Sequence, residues 1–544
     1  MAYIAEEQDS QGNSMTSEPP VVPVAEMADG ASTRDQGAKA TRRHIRGSSI
    51  LFAGRLISIA LNFGVQVLTV RYLLKSDYGA FAYALSIASI GASVALFGLD
   101  KAVARFIPIY EERGEDDKML GTIVMTLLTI LGIGAALVLG VIGFRGLIGD
   151  RFVQDPLAVS LLVLLILLSP LQAIDSWFQG LFAVFAKPQA IFVRRYVLGP
   201  VMKLAAVLVV ILSRQGVYVL AVGYLVAAII GSLIYAAMLR QLFRERGIRV
   251  SETLRRIVFP VREVFSFSTP LLTSDVMNIL KSSFVVVLLQ YFASTTEVAE
   301  FRAVVPVAGL NLIVMQSFKY LFTPEAARLF ARQDSQGIND LYWRSATWIA
   351  VITFPVFAAS FSLARPLTVL LFEERYASSA TVLALLTLGN YMNAAMGFNA
   401  YTLRVFGKVG YIVAIDLFTA LVGVVLNVLL IPPYGAIGAA IGTTAALVLY
   451  NLLNHAGLLL GTQIRLFQPR YLRVYASIVL GAVVLLLIDL LLEPGVVAGG
   501  LLIAAISLLL VLFNWQVMEA GRMFPELHRI PVLGPRLMAL EKQS

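Results

Sequence analysis

A row of polar side chains runs along one face of an otherwise apolar segment near the N-terminus. Residues 51–70 read LFAGRLISIALNFGVQVLTV, about long enough to cross a bilayer as a helix. Their polar members recur every three or four positions and so share one helical face: Arg55, Ser58, Asn62, Gln66 and Thr69. A charge at the bilayer centre costs roughly 2.5–3.5 kcal/mol on insertion scales. The row therefore predicts a water-filled lumen or a polar partner helix.

Basic residues also interrupt three later apolar segments. Together they predict a cationic lumen, formed by Arg55, Lys203, Lys281 and Arg302. The predicted polar lining consists of Ser58, Asn62, Gln66 and Asn278. A cationic lumen needs an anionic ligand, and in a bilayer the candidates are phosphate-bearing lipids or lipid-linked intermediates. Several separated basic residues suit a diphosphate.

Two acids, Asp275 and Asp416, lie deep in apolar segments. They could carry a coupling proton or Na⁺, or each could form an ion pair with a lysine or arginine. Other interpretations also remain open for the cations. Arg302 lies near the end of its segment, where a long side chain reaches the headgroups. Arg194 and Arg195 are interpreted as anchors on the cytoplasmic side.

The composition identifies the elements that must position these residues. Of 544 residues, 58% are hydrophobic and only 14% charged, so we predict an all-α polytopic membrane protein. The chain contains no cysteine and three histidines, and it lacks GxxxxGK[ST] and HExxH motifs. We therefore expect no enzyme activity, cofactor or metal. The net charge of +9 is interpreted as basic cytoplasmic loops, not as a nucleic-acid site.

About fourteen transmembrane helices are predicted. They cover 48–70, 79–99, 120–143, 157–180, 190–212, 216–239, 265–290, 299–321, 343–364, 379–403, 409–431, 435–459, 471–492 and 495–515. Lysine and arginine are concentrated in the turns on the side of the N-terminus, above all in 240–262. The positive-inside rule then places both termini in the cytoplasm.

The two halves of the chain resemble each other at an offset of about 220 residues. KSDYGAFAYAL (75–85) aligns with TTEVAEFRAVV (295–305), and SRQGVYVLAVG (213–223) aligns with PPYGAIGAAIG (432–442). An even number of helices per repeat predicts two parallel six-helix bundles. In this repeat, Arg55 and Asp275 occupy equivalent positions and could pair.

The predicted organisation has five parts. They are a disordered cytoplasmic tail (1–45), an N-terminal bundle (46–262), a C-terminal bundle (263–462), two further transmembrane helices (463–517) and a cytoplasmic tail (518–544).

Three stretches resemble the polysaccharide transporter (oligosaccharide flippase) family of the multidrug/oligosaccharidyl-lipid/polysaccharide exporter superfamily. They are RYLLKSDYGAFAYALSIASIGASVALFGLDKAVARFIPIY (71–110), LTVLLFEERYASSATVLALLTLG (367–389) and NVLLIPPYGAIGAAIGTTAA (427–446). The resemblance implies a V-shaped bundle, a lateral opening near spans 1 and 8, and ion-coupled alternating access. It also implies that Arg55 and Arg302 match basic positions of the lipid II flippase group. The seventh span lacks the acid that family members often carry late in that span.

The leading hypothesis is a flippase that moves a polyprenyl-diphosphate-linked oligosaccharide across a bacterial plasma (inner) membrane for polysaccharide synthesis. Its expected partners are the lipid-linked oligosaccharide, membrane lipids, H⁺ or Na⁺, and a polymerase or glycosyltransferase complex. Two alternatives are a drug or cation extruder of the same superfamily and a non-transporting scaffold of a glycan-synthesis complex.

Overall fold

The computed structural model describes residues 54–185, 187–246, 257–462, 464, 468–492 and 494–518. Throughout these ranges the secondary structure is helical, with no strand. The predicted N-terminal tail (1–45) lies outside the described residues, as does the C-terminal tail beyond residue 518.

The first half of the chain forms a group of helices that we call the N bundle. It begins with α1, of which residues 54–72 are described. The others are α2 (Lys75–Leu96), α3 (Leu99–Glu112), α4 (Asp116–Gly143), α5 (Arg145–Arg151), α6 (Pro156–Leu165), α7 (Leu168–Val184), α8 (Pro188–Ile191), a π-helix (Phe192–Leu198), α9 (Gly199–Leu212) and α10 (Val217–Glu245).

The second half forms the C bundle and two helices that follow it. The C bundle comprises α11 (Val261–Ser282), α12 (Phe284–Phe292), α13 (Thr295–Ala308), α14 (Asn311–Ala331), α15 (Ser335–Ser362), α16 (Ala364–Phe372), a 3₁₀ turn (Glu374–Tyr376), α17 (Ser379–Ala395), α18 (Asn399–Val405) and α19 (Val409–Gly461). Then α20 (Pro469–Leu492) and α21 (Val496–Phe513) pack against α15.

By length and apolar composition, nine helices of the described residues qualify as membrane spans, or ten if the bent pair α13–α14 counts as one. The predicted count of fourteen is not confirmed. One reason is that α19 counts as a single helix although it folds back at Gly435 (φ 54°), two residues after Pro433, so that its two halves cover two predicted spans and pack on each other, as the hydrogen bond from the Tyr411 hydroxyl to the Leu453 carbonyl shows. Another is that α17 has only 17 residues, because Met396 ends it before Gly397, which has φ 74°.

The two bundles meet closely where α2 of the N bundle crosses α13 of the C bundle. A Cβ atom placed on Gly79 would lie 1.8 Å from the carbonyl oxygen of Thr295, so only glycine allows this approach. Apolar residues of both helices, such as Phe81 and Val304, belong to the same buried core. The contact between the bundles is therefore built from backbone proximity and apolar burial.

The turns near this crossing come together at one end of the molecule, which we call the outer end because the charge distribution predicts it to be extracytoplasmic. The Thr295 hydroxyl donates to the Asp155 carboxylate at 2.6 Å, and the Tyr72 hydroxyl donates to the Gln215 carbonyl at 3.1 Å. The opposite end, which contains the turn after α3, is the inner end.

Replacing Gly79 by alanine should separate the bundles at this crossing. Because the added methyl group meets backbone and not a flexible side chain, we expect Gly79→Ala to destabilise the protein by about 1–3 kcal/mol. The measurement is the midpoint of thermal unfolding of the purified protein in detergent. Gly64→Ala in α1 is the matched control, since no atom lies within 4 Å of a Cβ there among the described residues. Equal midpoints for both variants would contradict the close approach.

Candidate functional site

A cavity of about 190 Å³ lies between the bundles, inward of the outer end. It is lined by residues of α1, α2, α10 and α13: Gln66, Thr69, Tyr78, Phe81, Ala82, Leu85, Tyr224, Arg302 and Pro306. Its position follows from the polar face of α1, which turns Gln66 and Thr69 toward the C bundle. The cavity therefore combines a cation, an amide and two phenols with an apolar wall.

Arg302 is the charged residue of this cavity. Its Nη2 donates to the hydroxyl of Ser86 at 2.8 Å. A guanidinium has five N–H donors, and within the described part of the chain no carboxylate pairs with this one. The guanidinium lies between the bundles, because α13 packs against α2 and Nη2 reaches Ser86 of α2. Among the described residues, Ser86 is the hydrogen-bond partner of this guanidinium.

Gln66 connects α1 to two other walls of the cavity, α2 and α13. Its side-chain amide donates to the Tyr78 hydroxyl at 2.5 Å and to the backbone carbonyl of Arg302 at 3.3 Å. Of the predicted polar lining, Gln66 is thus brought together with Arg302. Ser58 and Asn62 lie nearer the start of α1, where the Asn62 amide donates to the Ser58 carbonyl at 2.7 Å.

Lys203 approaches the same cavity from α9. Its ammonium lies 5.5 Å from the centroid of the Tyr224 ring, a distance at which cation–π attraction operates. Tyr224 also makes an edge-to-face contact with Phe81, at 5.2 Å between ring centroids. Tyr224, which lines the cavity together with Arg302, is therefore also in contact with Lys203.

The remaining predicted site residues are placed in different surroundings. Arg55 is half-buried near the start of α1, where Gly54 packs on Phe192 and Tyr196 of the π-helix. The side chains of Asn278 and Lys281 lie outside the described residues. Asp416 lies close enough to Tyr450 for an electrostatic interaction within the folded-back α19.

Asp275 forms its ion pair with Lys101, at 2.7 Å between Nζ and Oδ1, and not with Arg55. The pair joins α11 of the C bundle to α3 of the N bundle. Nearer the inner end, the same two helices are also joined by a hydrogen bond. The Tyr110 hydroxyl of α3 donates to the Glu263 carboxylate of α11 at 2.7 Å. These contacts connect the bundles on the inner side of the cavity.

The interpretation of Arg194 as an anchor at the membrane surface is wrong. Its side chain is buried, and Nη2 lies 2.8 Å from Oδ1 of Asp175 on α7. Gly231 makes room for it, because a Cβ there would lie 2.0 Å from the guanidinium. The sequence places Arg194 near a helix end, and in the structure it lies within the π-helix with its side chain directed at α7.

Two arginines at the outer end, which no sequence pattern singles out, cap helices of the opposite bundle. Arg71, near the end of α1, donates to the carbonyls of Leu370 (2.5 Å) and Leu371 (2.9 Å) in the last turn of α16. Arg375, just after α16, donates to those of Val70 (3.0 Å) and Leu73 (2.9 Å) at the end of α1. The last carbonyls of a helix lack intrahelical partners, so each arginine satisfies exposed acceptors of the other bundle.

A third cross-bundle contact completes this group, which we call the outer clamp. The Lys75 ammonium lies 2.5 Å from the Glu300 carboxylate, and both side chains are largely shielded from solvent. No sequence signal links these residues, which lie in the first two turns of α2 and α13. The cavity is thus bounded by polar cross-bundle contacts at its outer and inner sides.

More than half of the chain matches a known protein family. A family model described as "Polysaccharide biosynthesis protein" matches residues 44–318, which is more than half of the chain. The chain belongs to this family. The resemblance noted in the sequence is thereby confirmed, and the protein is a multi-pass membrane protein.

Two archaeal relatives match most of the chain. A "Probable low-salt glycan biosynthesis flippase Agl15" of Haloferax volcanii is 21% identical over 410 residues, covering 75% of this chain and 82% of the relative. An "Uncharacterized membrane protein MJ1068" of Methanocaldococcus jannaschii is 22% identical over 415 residues, covering 73% and 80%.

Solved transporter structures share the fold. The "Lipid II flippase MurJ, inward closed conformation" superposes with a TM-score of 0.65 at 14% identity, covering 89% of this chain and 99% of that structure. An inward-facing multidrug-resistance MATE family transporter superposes with a TM-score of 0.61 at 16% identity, covering 73% and 92%. These likenesses establish the fold.

Reversing the Lys75–Glu300 pair tests whether the clamp stabilises this conformation. Removing one partner of a shielded ion pair costs about 3–5 kcal/mol. We therefore expect Lys75→Glu to lower the thermal midpoint in detergent by several degrees, and the double variant Lys75→Glu/Glu300→Lys to recover most of the loss. If the double variant lowers the thermal midpoint by the sum of the losses from the two single substitutions, the two charges do not interact.

Proposed function

We propose that this protein is a flippase that translocates a lipid-linked oligosaccharide for polysaccharide synthesis, with Arg302 binding the phosphate groups of the lipid carrier. The observation that carries the proposal is the guanidinium of Arg302, which lines a cavity between the two bundles and has no carboxylate partner among the described residues. Membership of a polysaccharide biosynthesis family and the name of the Haloferax volcanii relative support the same substrate class.

The cavity suits an anionic headgroup better than a neutral or cationic ligand. A guanidinium without a carboxylate partner is costly in a bilayer, and a phosphate compensates that cost by charge and by paired hydrogen bonds. Gln66, Tyr78 and Ser86 supply additional polar groups around it. A cationic drug would meet repulsion from Arg302 and Lys203, which argues against the extruder hypothesis.

Translocation requires the two ends to open in turn. In the proposed cycle, the outer clamp breaks to release the oligosaccharide, and the Lys101–Asp275 and Tyr110–Glu263 contacts break to admit it. Each set joins the N bundle to the C bundle, so the bundles can rock only if one set is released.

The proposal also includes coupling to H⁺ or Na⁺ through Asp275 or Asp416, a bacterial inner membrane and cytoplasmic termini. Arg55 and Lys281 are proposed as further phosphate contacts.

Substitution of Arg302 tests the site. Hydrogen bonds to charged groups contribute about 1.5–3 kcal/mol, so we expect Arg302→Gln to reduce export by at least about tenfold. Arg302→Lys should retain part of the activity, because it keeps the charge and loses the planar fork. The measurements, in a strain lacking the chromosomal copy, are surface polysaccharide and the lipid-linked intermediate on the inner leaflet, normalised to the amount of protein in the membrane.

The matched control is Arg145→Gln, an exposed arginine at the outer end, which should export normally. Normal export by Arg302→Gln would exclude the phosphate site. Loss of polysaccharide without accumulation of the intermediate would favour the scaffold hypothesis over transport.

A further inference from the structure

The turn that joins α16 to α17 contains a residue in a strained backbone conformation. Glu373 has φ 72° and ψ 169°, a combination that is populated almost only by glycine. Phe97, another non-glycine residue with positive φ, has ψ 29° and lies in the left-handed helical region, which non-glycine residues visit at lower cost. The side chain of Glu373 is exposed, so its own burial does not compensate for the strain.

Contacts from the N bundle fix the backbone that precedes Glu373. Arg71 donates to the carbonyls of Leu370 and Leu371 in the last turn of α16. The N–H of Glu373 belongs to the same turn, since it donates to the Val369 carbonyl at 2.8 Å. The backbone before the strained residue is therefore attached to α1.

The backbone that follows Glu373 is attached to the N bundle as well. The Lys75 ammonium donates to the Arg375 carbonyl at 3.3 Å and lies 5.4 Å from the centroid of the Tyr376 ring, which is fully buried. The Arg375 guanidinium donates to carbonyls at the end of α1, and its Nε lies 3.3 Å from Oε2 of Glu373. The N bundle thus holds the turn on both sides of the strained residue.

The contacts that enforce the strain are those of the outer clamp. A strained conformation persists only where the surrounding structure imposes it. The contacts of Arg71 and Lys75 with the turn exist only while the two bundles touch at the outer end. When that end opens, both side chains move away with the N bundle and the turn can relax. Closing the outer end therefore builds up the strain at Glu373, and opening it releases the strain.

We propose that Glu373 is a conformational switch of the outer end, strained while the outer clamp is intact and relaxed when the clamp opens. The strain offsets part of the stabilisation that the clamp provides, and so raises the fraction of molecules with an open outer end. This inference rests on the alternation of the two ends in the proposed function, and it concerns how readily the outer end opens, not what the cavity binds.

The test is a distance measurement across the outer end, by double electron–electron resonance on the full-length protein in lipid nanodiscs. Because the chain contains no cysteine, two introduced cysteines carry the spin labels, Arg145→Cys in the N bundle and Tyr434→Cys in the C bundle. Both native side chains are exposed, and Tyr434 lies at the kink of α19, beside the first turn of α13. The ratio of open to closed molecules is read from the long and short distances.

The decisive comparison is between glycine and alanine at position 373. Glu373→Gly removes the strain, because glycine adopts this conformation readily. Glu373→Ala is the matched control, since it removes the carboxylate but keeps the Cβ atom that causes the strain. We expect the open-to-closed ratio to be at least about threefold lower in Glu373→Gly than in Glu373→Ala. The same shift is expected when both are combined with Lys75→Glu, which weakens the clamp and populates the open conformation.

A second glycine substitution controls for the flexibility that glycine adds to a turn. Gln333 also has a positive φ (58°) and an exposed side chain, but it lies between α14 and α15. Gln333→Gly should leave the distances across the outer end unchanged. The thermal midpoint of each variant is measured in parallel, so that loss of folding is distinguished from a change of conformation.

The outcomes distinguish the switch from the phosphate site. An open-to-closed ratio in Glu373→Gly that equals or exceeds that of Glu373→Ala in both backgrounds overturns the switch, and so does a single short distance in every variant. Neither result affects the site at Arg302, which is tested by export. Normal export by Arg302→Gln together with a lowered ratio in Glu373→Gly would refute the phosphate site and support the switch.

Discussion

Charge inside a bilayer is the constraint on which the rest of this structure depends. A guanidinium among hydrocarbon must be paired, hydrogen-bonded or hydrated, because its isolated burial is costly. The N bundle satisfies one such group, Arg194, with a carboxylate and a glycine-lined space. Among the described residues, Arg302 donates to the hydroxyl of Ser86 and lines a cavity. This contrast with Arg194 is the reason for proposing Arg302 as the ligand-binding arginine.

The two bundles are joined by polar contacts at the outer and inner sides of the cavity, and by close backbone packing where α2 crosses α13. Carbonyls at helix ends, which every helix exposes, are satisfied at the outer end by arginines of the opposite bundle. Such contacts are strong enough to hold one conformation, yet they can be exchanged for water when the bundles separate. Apolar packing of α2 on α13 then provides a surface about which rotation can occur. This combination suits a protein with more than one conformation.

Part of the candidate site was predictable because its signals are local. The periodicity of α1 placed Gln66 and Thr69 on one face, and the cost of intramembrane charge singled out Arg302. The helical fold followed from hydrophobic content. The number of spans did not, since proline and glycine positions such as Gly435 decide whether a chain turns back or merely bends. The helix propensities of proline and glycine alone do not distinguish a turn between two spans from a bend within one span.

The sequence by itself determined that this is a helical membrane protein with basic residues on polar helical faces. Helical periodicity and hydrophobic composition are local properties, which can be read within one or two helical turns. Tertiary structure alone decided which cations have partners. Asp275 could have paired with Arg55 by the repeat, yet it lies beside Lys101. Arg194 and Arg195 are adjacent in sequence, yet one is buried beside Asp175 and the other is exposed. Pairing depends on distances between helices that are far apart along the chain, and no local pattern encodes those distances.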